Sequence, residues 1–367
     1  GLRGRRGRVL PTVQRHRPLL YVNEQADLPA MPCPGGPVCE FGLCESDFEA
    51  LGSFAAAGLR ATELVLARAA DALVKGRIPI SGAVVVRTPK GELVEVTVGQ
   101  NGRIPPPSGH DEEEDAGGIG YPTDHGETGA LRQIQDASAP DWANAVFATS
   151  LSPCIMCFRS IEWLWSLGLR RVVIAESKSF GGTADRVAAL DGMVLVRLCN
   201  RRAVGMMRRF ARTFPWDWAA DIGEVPPADL GLLRQLRTEG SALGPQFIAQ
   251  LRASGKGAAV FKPPDGRVAA MASDDRHSSG GNEVRSAAMQ AMGLAGSAVN
   301  LREAAFAVLA LPGAEVLDMQ AFGRVSLGAC ELFRPAALLT DVPVEAGLGS
   351  LLKAAGVEVF VCAGRSG

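Results

Sequence analysis

The sequence predicts an α/β protein in which one unit of alternating strands and helices is built twice in tandem. Two observations predict this. Short runs rich in Val and Ile alternate with longer stretches of helical period between residues 46 and 224. The segment from Gly82 to Val94 then returns as the segment from Gly257 to Ala269, with apolar and turn positions in step. A chain of 367 residues suits two domains better than one. The expected divisions are an irregular extension over 1–45, a first domain over 46–226, a linker and helix over 227–250, and a second domain over 251–367.

The elements follow in order. Residues 1–45 read as irregular. Arg3, Arg5, Arg6, Arg8, Arg15 and Arg17 make a basic arm, which is either a solvated tail or a segment for targeting or an anionic partner. Cys33, Cys39 and Cys44 lie in a Pro/Gly-rich loop. They are either free thiols or, with His16 or His110, a second and structural zinc site. Residues 46–75 are helical and rich in Ala and Leu. Residues 80–98 form a hairpin turning at Pro89-Lys90-Gly91. Residues 104–124 are a loop with an acidic run from Asp111 to Asp115, read as solvated or as a lid ahead of His125. A helix starts after Asp124, its expected N-cap. A buried strand over 144–149, a helix over 155–167, a strand over 169–175, a further helix and a strand over 192–198 complete the alternation. A helix over 201–213 leads into 214–224, and Pro226 and Pro227 begin the linker.

Composition bounds the function. Apolar residues make up 47% of the chain, enough for two cores, and the net charge of −1 argues against a nucleic-acid partner. No apolar run reads as long enough to cross a bilayer and no secretory leader is visible, so a cytoplasmic protein without membrane contact is expected. Eight cysteines in so long a chain are not a disulfide scaffold.

The chemistry concentrates in His125-Gly126-Glu127 and Pro153-Cys154-Ile155-Met156-Cys157. One imidazole and two thiols supply three ligands, leaving the fourth tetrahedral position for water, with a carboxylate beside it. The cysteines fall at a helix N-terminus, where the macrodipole favours the thiolate that binds metal. H-x-E followed by P-C-x-x-C is the signature of zinc-dependent deaminases. The competing readings are a structural zinc, which lacks an evident fourth protein ligand, and a redox C-x-x-C, which has no need of His125 and Glu127.

In the second copy, the segment from His125 to Leu131 lines up with that from Gly281 to Ala287, and the segment from Leu151 to Cys157 with that from Ala310 to Val316. In that register Gly281, Gly313 and Val316 replace the ligands, and only Glu283 remains. The second domain then keeps the fold without zinc, as structural support in a covalent pseudo-dimer; the alternative is an unrelated α/β domain. A homodimer of whole chains is also possible.

The first unit resembles the cytidine deaminase superfamily, and within it the fungal-type cytosine deaminases that act on the free base. The likeness runs from about residue 58 to 224. It rests on Asp124-His125-Gly126-Glu127, on Leu151-Ser152-Pro153-Cys154-Ile155-Met156-Cys157, and on Asp217-Trp218-Ala219-Ala220-Asp221-Ile222-Gly223-Glu224. It implies a cytidine deaminase-like α/β/α sandwich, a central mixed sheet with helices on both faces. It implies Zn2+ on His125, Cys154 and Cys157, with Glu127 as the proton carrier. It implies that Asn101 and the Gly126 backbone hold the ring, that Asp221 receives the exocyclic amine, and that Trp218 and Phe180 pack against the ring. Without the family, Trp218 reads equally as core, Asn101 as a turn residue and Asp221 as a local cap. The implied activity is hydrolytic deamination of a small heterocycle, a cytosine-like free base, with a small-molecule substrate and water as partners and ammonia released. The alternatives are a purine base, a nucleoside or a secondary-metabolite ring, a nucleic-acid editing deaminase, or a zinc-bearing interaction module. The extension, the long loop after Asn101 and the second domain depart from the short fungal-type pattern.

Overall fold

The computed structural model describes residues 41–102, 122–224, 227–238, 241–263, 266–296 and 300–362. The basic arm, Cys33, Cys39, His16, His110 and the acidic run from Asp111 to Asp115 lie outside the described residues.

The first sheet contains β1 (Ser81–Arg87), β2 (Leu93–Gln100), β3 (Ala145–Thr149), β4 (Arg171–Ile174) and β5 (Val194–Arg197) in the order β2-β1-β3-β4-β5. β1 runs antiparallel to β2 and β3, whereas β3, β4 and β5 are parallel, so the sheet is mixed. The period-2 alternation assigns its two faces. Ala83, Val85, Val146 and Ala148 meet α1 (Ala55–Val74) and α5 (Arg201–Thr213). Val84 and Phe147 meet α2 (Gly126–Arg132), α3 (Ile155–Ser166) and α4 (Ala184–Ala188). The short α6 (Pro215–Asp221) follows α5 and packs Trp218 beside Ile80, Leu151 and Phe210.

Helix α1 is shorter than the expected 46–75. Residues Glu45–Phe54 form a 3-10 segment that breaks at Gly52, whose φ of 57° suits glycine. By length and composition alone, Glu45–Val74 qualifies as a membrane span, contrary to the expectation that no such run exists. Half of its most apolar 18 residues are buried, and Ala57, Ala61, Val65, Leu66 and Ala69 are fully buried in it.

The second sheet repeats the first. β6 (Ala258–Lys262), β7 (Arg267–Ala272), β8 (Ala305–Val308), β9 (Ala337–Thr340) and β10 (Glu358–Val361) lie in the order β7-β6-β8-β9-β10 with the same strand directions. Even the bulge recurs, between Val84 and Val85 in β1 and between Val260 and Phe261 in β6. It pairs Val84 with Val260, one residue away from the alignment read in the sequence. The cores agree, since Val84 and Val260 both point to the layer between the sheets. A one-residue slip would have turned each strand inside out.

α7 (Gly231–Leu236) and α8 (Leu243–Ala253) cover the outer face of the second sheet. α9 (Ala287–Ala295), α10 (Met319–Phe322), α11 (Arg324–Phe333) and α12 (Ala346–Ala354) contribute to the inner side. The inner helices of both halves share one apolar cluster, so the halves meet through their helical layers. The largest such meeting is α3 on α11. Gly328 permits it: a methyl group there would lie 2.7 Å from Arg159 Cγ and 2.9 Å from Met156 Cα. Beside it the Arg159 guanidinium grips Glu331 with two bonds, of 2.9 and 3.0 Å.

Candidate metal centre

Three glycines let α2 lie directly on the hairpin. A methyl at Gly82 would come within 2.8 Å of Glu127 Cα, one at Gly126 within 2.5 Å of Ser81 N, and one at Gly99 within 2.5 Å of Ala130 Cα. A glycine inside a strand is a signal of close backbone approach, and Gly82 and Gly99 carry that signal here. The start of α2 is set by Thr128, whose Oγ1 accepts from His125 N at 2.9 Å. Asp124 is not the N-cap expected of it. Its carboxylate instead accepts from Arg132 Nε at 2.6 Å, at the far end of the same helix.

The two thiol-bearing positions follow the end of β3. The loop after Thr149 is pinned on several sides. Ser150 Oγ accepts from Ser81 N at 3.0 Å, Ser152 N donates to Glu176 O at 2.9 Å, and Thr183 N donates to Pro153 O at 2.8 Å. Cys154 is the N-cap residue of α3 and Cys157 stands in its first turn.

These elements bring His125 Nδ1 to 3.3 Å from Cys154 Sγ and 3.7 Å from Cys157 Sγ, with the sulfurs 3.5 Å apart. A tetrahedral ion with Zn–S near 2.3 Å and Zn–N near 2.1 Å separates its donors by about 3.5–3.8 Å. The cluster therefore suits zinc, and all three residues are buried. Among the described residues it is the one group of His, Cys, Asp and Glu found with such spacing.

Glu127 stands against the cluster, with Oε2 3.2 Å from Cys157 Sγ. Burial, and then the charge of Cys154, push its carboxyl up to about 7. Thr149 Oγ1 lies 2.8 Å from both Glu127 Oε1 and Leu151 O. The hydroxyl donates to Glu127 in one orientation, which favours the carboxylate and tempers that rise, and to Leu151 O in the other. Burial opposes the charge on His125, but Asp221 and Cys154 hold its pKa up to about 9. Cys154 is drawn well below the usual thiol value: burial opposes this, and the Cys157 S–H and His125 outweigh it. Cys157 is pushed well above that value by burial and by the Cys154 thiolate. Without metal, the pair thus carries one negative charge.

Asp221 and Asn101 join the centre from opposite ends of the domain. Asp221 Oδ1 lies 3.4 Å from His125 Nε2 and accepts from Asn101 Nδ2 at 2.9 Å, across 120 residues of chain; both are buried. Gly126 lies between His125 and Glu127. Trp218 is buried in the apolar cluster with Leu151, and the half-buried Phe180 meets it edge-on with ring centres 5.6 Å apart. Thr149 is a further residue at the centre that the sequence did not mark; a Thr at the end of a buried strand carries no motif.

The second copy of the fold places different residues at these points. Helix α9 is capped by Ser286 and α11 by Gly323. Counting from the helix starts, Ser286 stands for His125, Ala288 for Glu127, Gly323 for Cys154 and Ser326 for Cys157. This corrects the expected Gly281, Gly313 and Val316, because the 3-10 turns His277–Ser279 and Glu283–Arg285 and helix α10 shift both helix starts. Ser286 Oγ and Ser326 Oγ lie 2.9 Å apart, and Glu283, which does not stand for Glu127, accepts from Val325 N at 3.0 Å. A hydroxyl pair and an internal carboxylate fill the space where the first copy gathers metal ligands.

Residues 59–176 match the family model described as the cytidine and deoxycytidylate deaminase zinc-binding region. A cytosine deaminase of Candida albicans is 32% identical over 100 residues, which are 27% of this chain and 64% of the fungal protein. This chain thus spans less than two thirds of the length of that relative. A chain from structural studies of A-to-I editing by tRNA:A34 deaminases at the wobble position of transfer RNA is similar over 38% of this chain and 97% of its own. There the identity is 21% and the TM-score 0.26, too low to bear on substrate.

Proposed function

We infer, on the premise that residues 59–176 belong to the cytidine deaminase superfamily, that this chain is a zinc-dependent hydrolase acting on a small aminated heterocycle, a cytosine-like free base. It replaces the amino group with a carbonyl oxygen and releases ammonia. The observation that carries this reading is the set of three donor atoms 3.3–3.7 Å apart with a buried carboxyl 3.2 Å from one of them.

When bound, zinc supplies Lewis-acid activation of a water molecule near neutral pH. The chain's own residues do the rest. Glu127 Oε2 takes a proton from the attacking water and gives it to the ring nitrogen beside the reacting carbon, which makes that carbon electrophilic. A second proton passes through the same carboxyl to the departing amine. Its place beside the donor cluster, with Oε2 3.2 Å from Cys157 Sγ, lets one carboxyl serve both transfers. Asp221 receives the exocyclic amine and Asn101 the polar edge of the ring. The Gly126 backbone adds a hydrogen bond, and Trp218 and Phe180 pack against the ring. The remaining buried walls exclude bulk water, which strengthens these contacts.

The test is ammonia release by the zinc-loaded full chain from cytosine, 5-substituted cytosines, guanine, adenine and their nucleosides. Cytosine turnover is expected, falling by about three decades or more in Glu127→Ala with zinc retained. Cys154→Ala is expected to lose the metal. Turnover of a purine or a nucleoside in preference to cytosine replaces the substrate and leaves the chemistry. Absence of ammonia from every small heterocycle, or Glu127→Ala within tenfold of wild type, ends the reading.

A further inference from the structure

We propose that Asn282 of the second half, with Arg285, is a positioning residue for the metal centre of the first half; this rests on the reading that His125, Cys154 and Cys157 hold a metal ion. Helix α2 has only seven residues, so most of its carbonyls belong to its last turn and find no partner within the helix. Gly129 O and Ala130 O are met from the first half by Gln133 Nε2 and Thr97 Oγ1, and Ile134 N closes a turn on Leu131 O; the second half adds bonds at Leu131 O, Arg132 O and Ile134 O. Asn282 is fully buried, and its Nδ2 donates to Leu131 O at 2.9 Å and to Ile134 O at 3.2 Å. The Arg285 guanidinium donates to Arg132 O at 2.9 Å and to Gln135 Oε1 at 3.3 Å, placing a cation where the helix dipole is negative. Ala137 N closes the clamp on Ser279 O at 3.0 Å. Leu131 is six residues beyond His125, about 9 Å along a helix, so the clamp acts on the same short element that carries His125 and Glu127.

The other site-bearing helices are tied to the same half. α3 rests on α11 at Gly328 and through Arg159 and Glu331. Gly223, two residues past Asp221, lies against Leu332 O, and Arg302 donates to Gly223 O. On α2 the tie is a hydrogen-bonded clamp with one buried amide at its centre. The same amide caps its own segment, since Asn282 Oδ1 accepts from Val284 N at 3.2 Å. The Asp substitution separates the two duties: it keeps the acceptor for Val284 and turns a carboxylate oxygen toward two carbonyls.

The experiment compares wild type, Asn282→Asp and Asn282→Ala with Leu352→Ala, a destabilising change in the buried face of α12, whose main contacts are with β10 and α11. Zinc affinity is measured by chelator competition well below the unfolding midpoint, and the coordination geometry by the visible spectrum of the cobalt-substituted protein. We expect zinc affinity to fall about tenfold in Asn282→Asp, with an altered cobalt spectrum and kcat lowered more than KM is raised. Leu352→Ala should lower the midpoint and leave metal affinity within twofold. If Asn282→Asp does not fold, Asn282→Ser and Arg285→Met carry the same comparison. Metal affinity and spectrum unchanged while stability drops overturn the proposal, leaving Asn282 a merely structural residue. A wild-type chain that takes up no metal overturns the metal reading and this inference with it. A chain that binds metal but deaminates nothing leaves this test intact.

Discussion

Replacing Gly99 with alanine should disturb the metal centre from a position that touches no ligand. Gly99 faces α2 from strand β2. A methyl there would lie 2.5 Å from Ala130 Cα and 2.6 Å from Gly129 C, where ordinary contact begins at 3.4 Å. The gap to Ala130 Cα alone is short by about 0.9 Å, Ala130 N lies closer still, and the obstructing atoms are backbone, so no side chain can rotate away. Either β2 bows or α2 lifts by about an ångström. Overpacking of this kind costs about 1–3 kcal/mol, which lowers the midpoint by about 2–12 °C in a domain of this size. Since α2 carries His125 and Glu127, a shift of about 1 Å should also cost about a hundredfold in rate. Calorimetry, bound zinc per chain and turnover would be read on the same preparation. Gly205→Ala is the control: it lies in α5 with open space around it and should stabilise by up to about 1 kcal/mol. Wild-type midpoint, zinc content and rate in Gly99→Ala would refute the claim that α2 is seated by backbone contact.

Metal binding should be strongly pH-dependent. At pH 7 the metal-free site holds a proton on His125, below its pKa of about 9, and one on Cys157, whose pKa lies higher still, while Cys154 is already a thiolate. About two protons must leave as the ion enters, so affinity should rise about a hundredfold from pH 7 to pH 8; calorimetry in buffers of different ionisation enthalpy counts them, and pH-independent affinity contradicts the assignment. Gly328→Val should wedge α3 from α11, since the new side chain meets the Met156 backbone. A loss of about 1–3 kcal/mol is expected by denaturant titration, together with weaker zinc retention, because α3 carries Cys157. An unchanged denaturation midpoint would show that the halves do not depend on this contact.

Much of the first half was legible because its signals are local. The hairpin turns where Pro89-Lys90-Gly91 stands, α5 runs over the expected 201–213, and the two short motifs name the residues whose donor atoms converge. What escaped depends on distance in sequence. Gly99 is an inconspicuous strand residue until α2 is laid on it. Asp124 reads as a cap because nothing local shows Arg132 returning to it. Strands and turns align the second copy, but α10 and two 3-10 turns displace the starts of α9 and α11, and ligand equivalence follows helix starts. The bond from Asn282 to Leu131 spans 151 residues and two different motifs, and no period or spacing announces it.

The halves share one backbone, and this changes what mass action can do to them. Two separate subunits joined through the α3 and α11 surfaces would part on dilution, and the clamp on α2 would go with them. Tethered in one chain, the supporting half stays at an effective concentration of about millimolar however thin the solution. Specific activity per chain should therefore hold constant down to the lowest concentration that can be assayed.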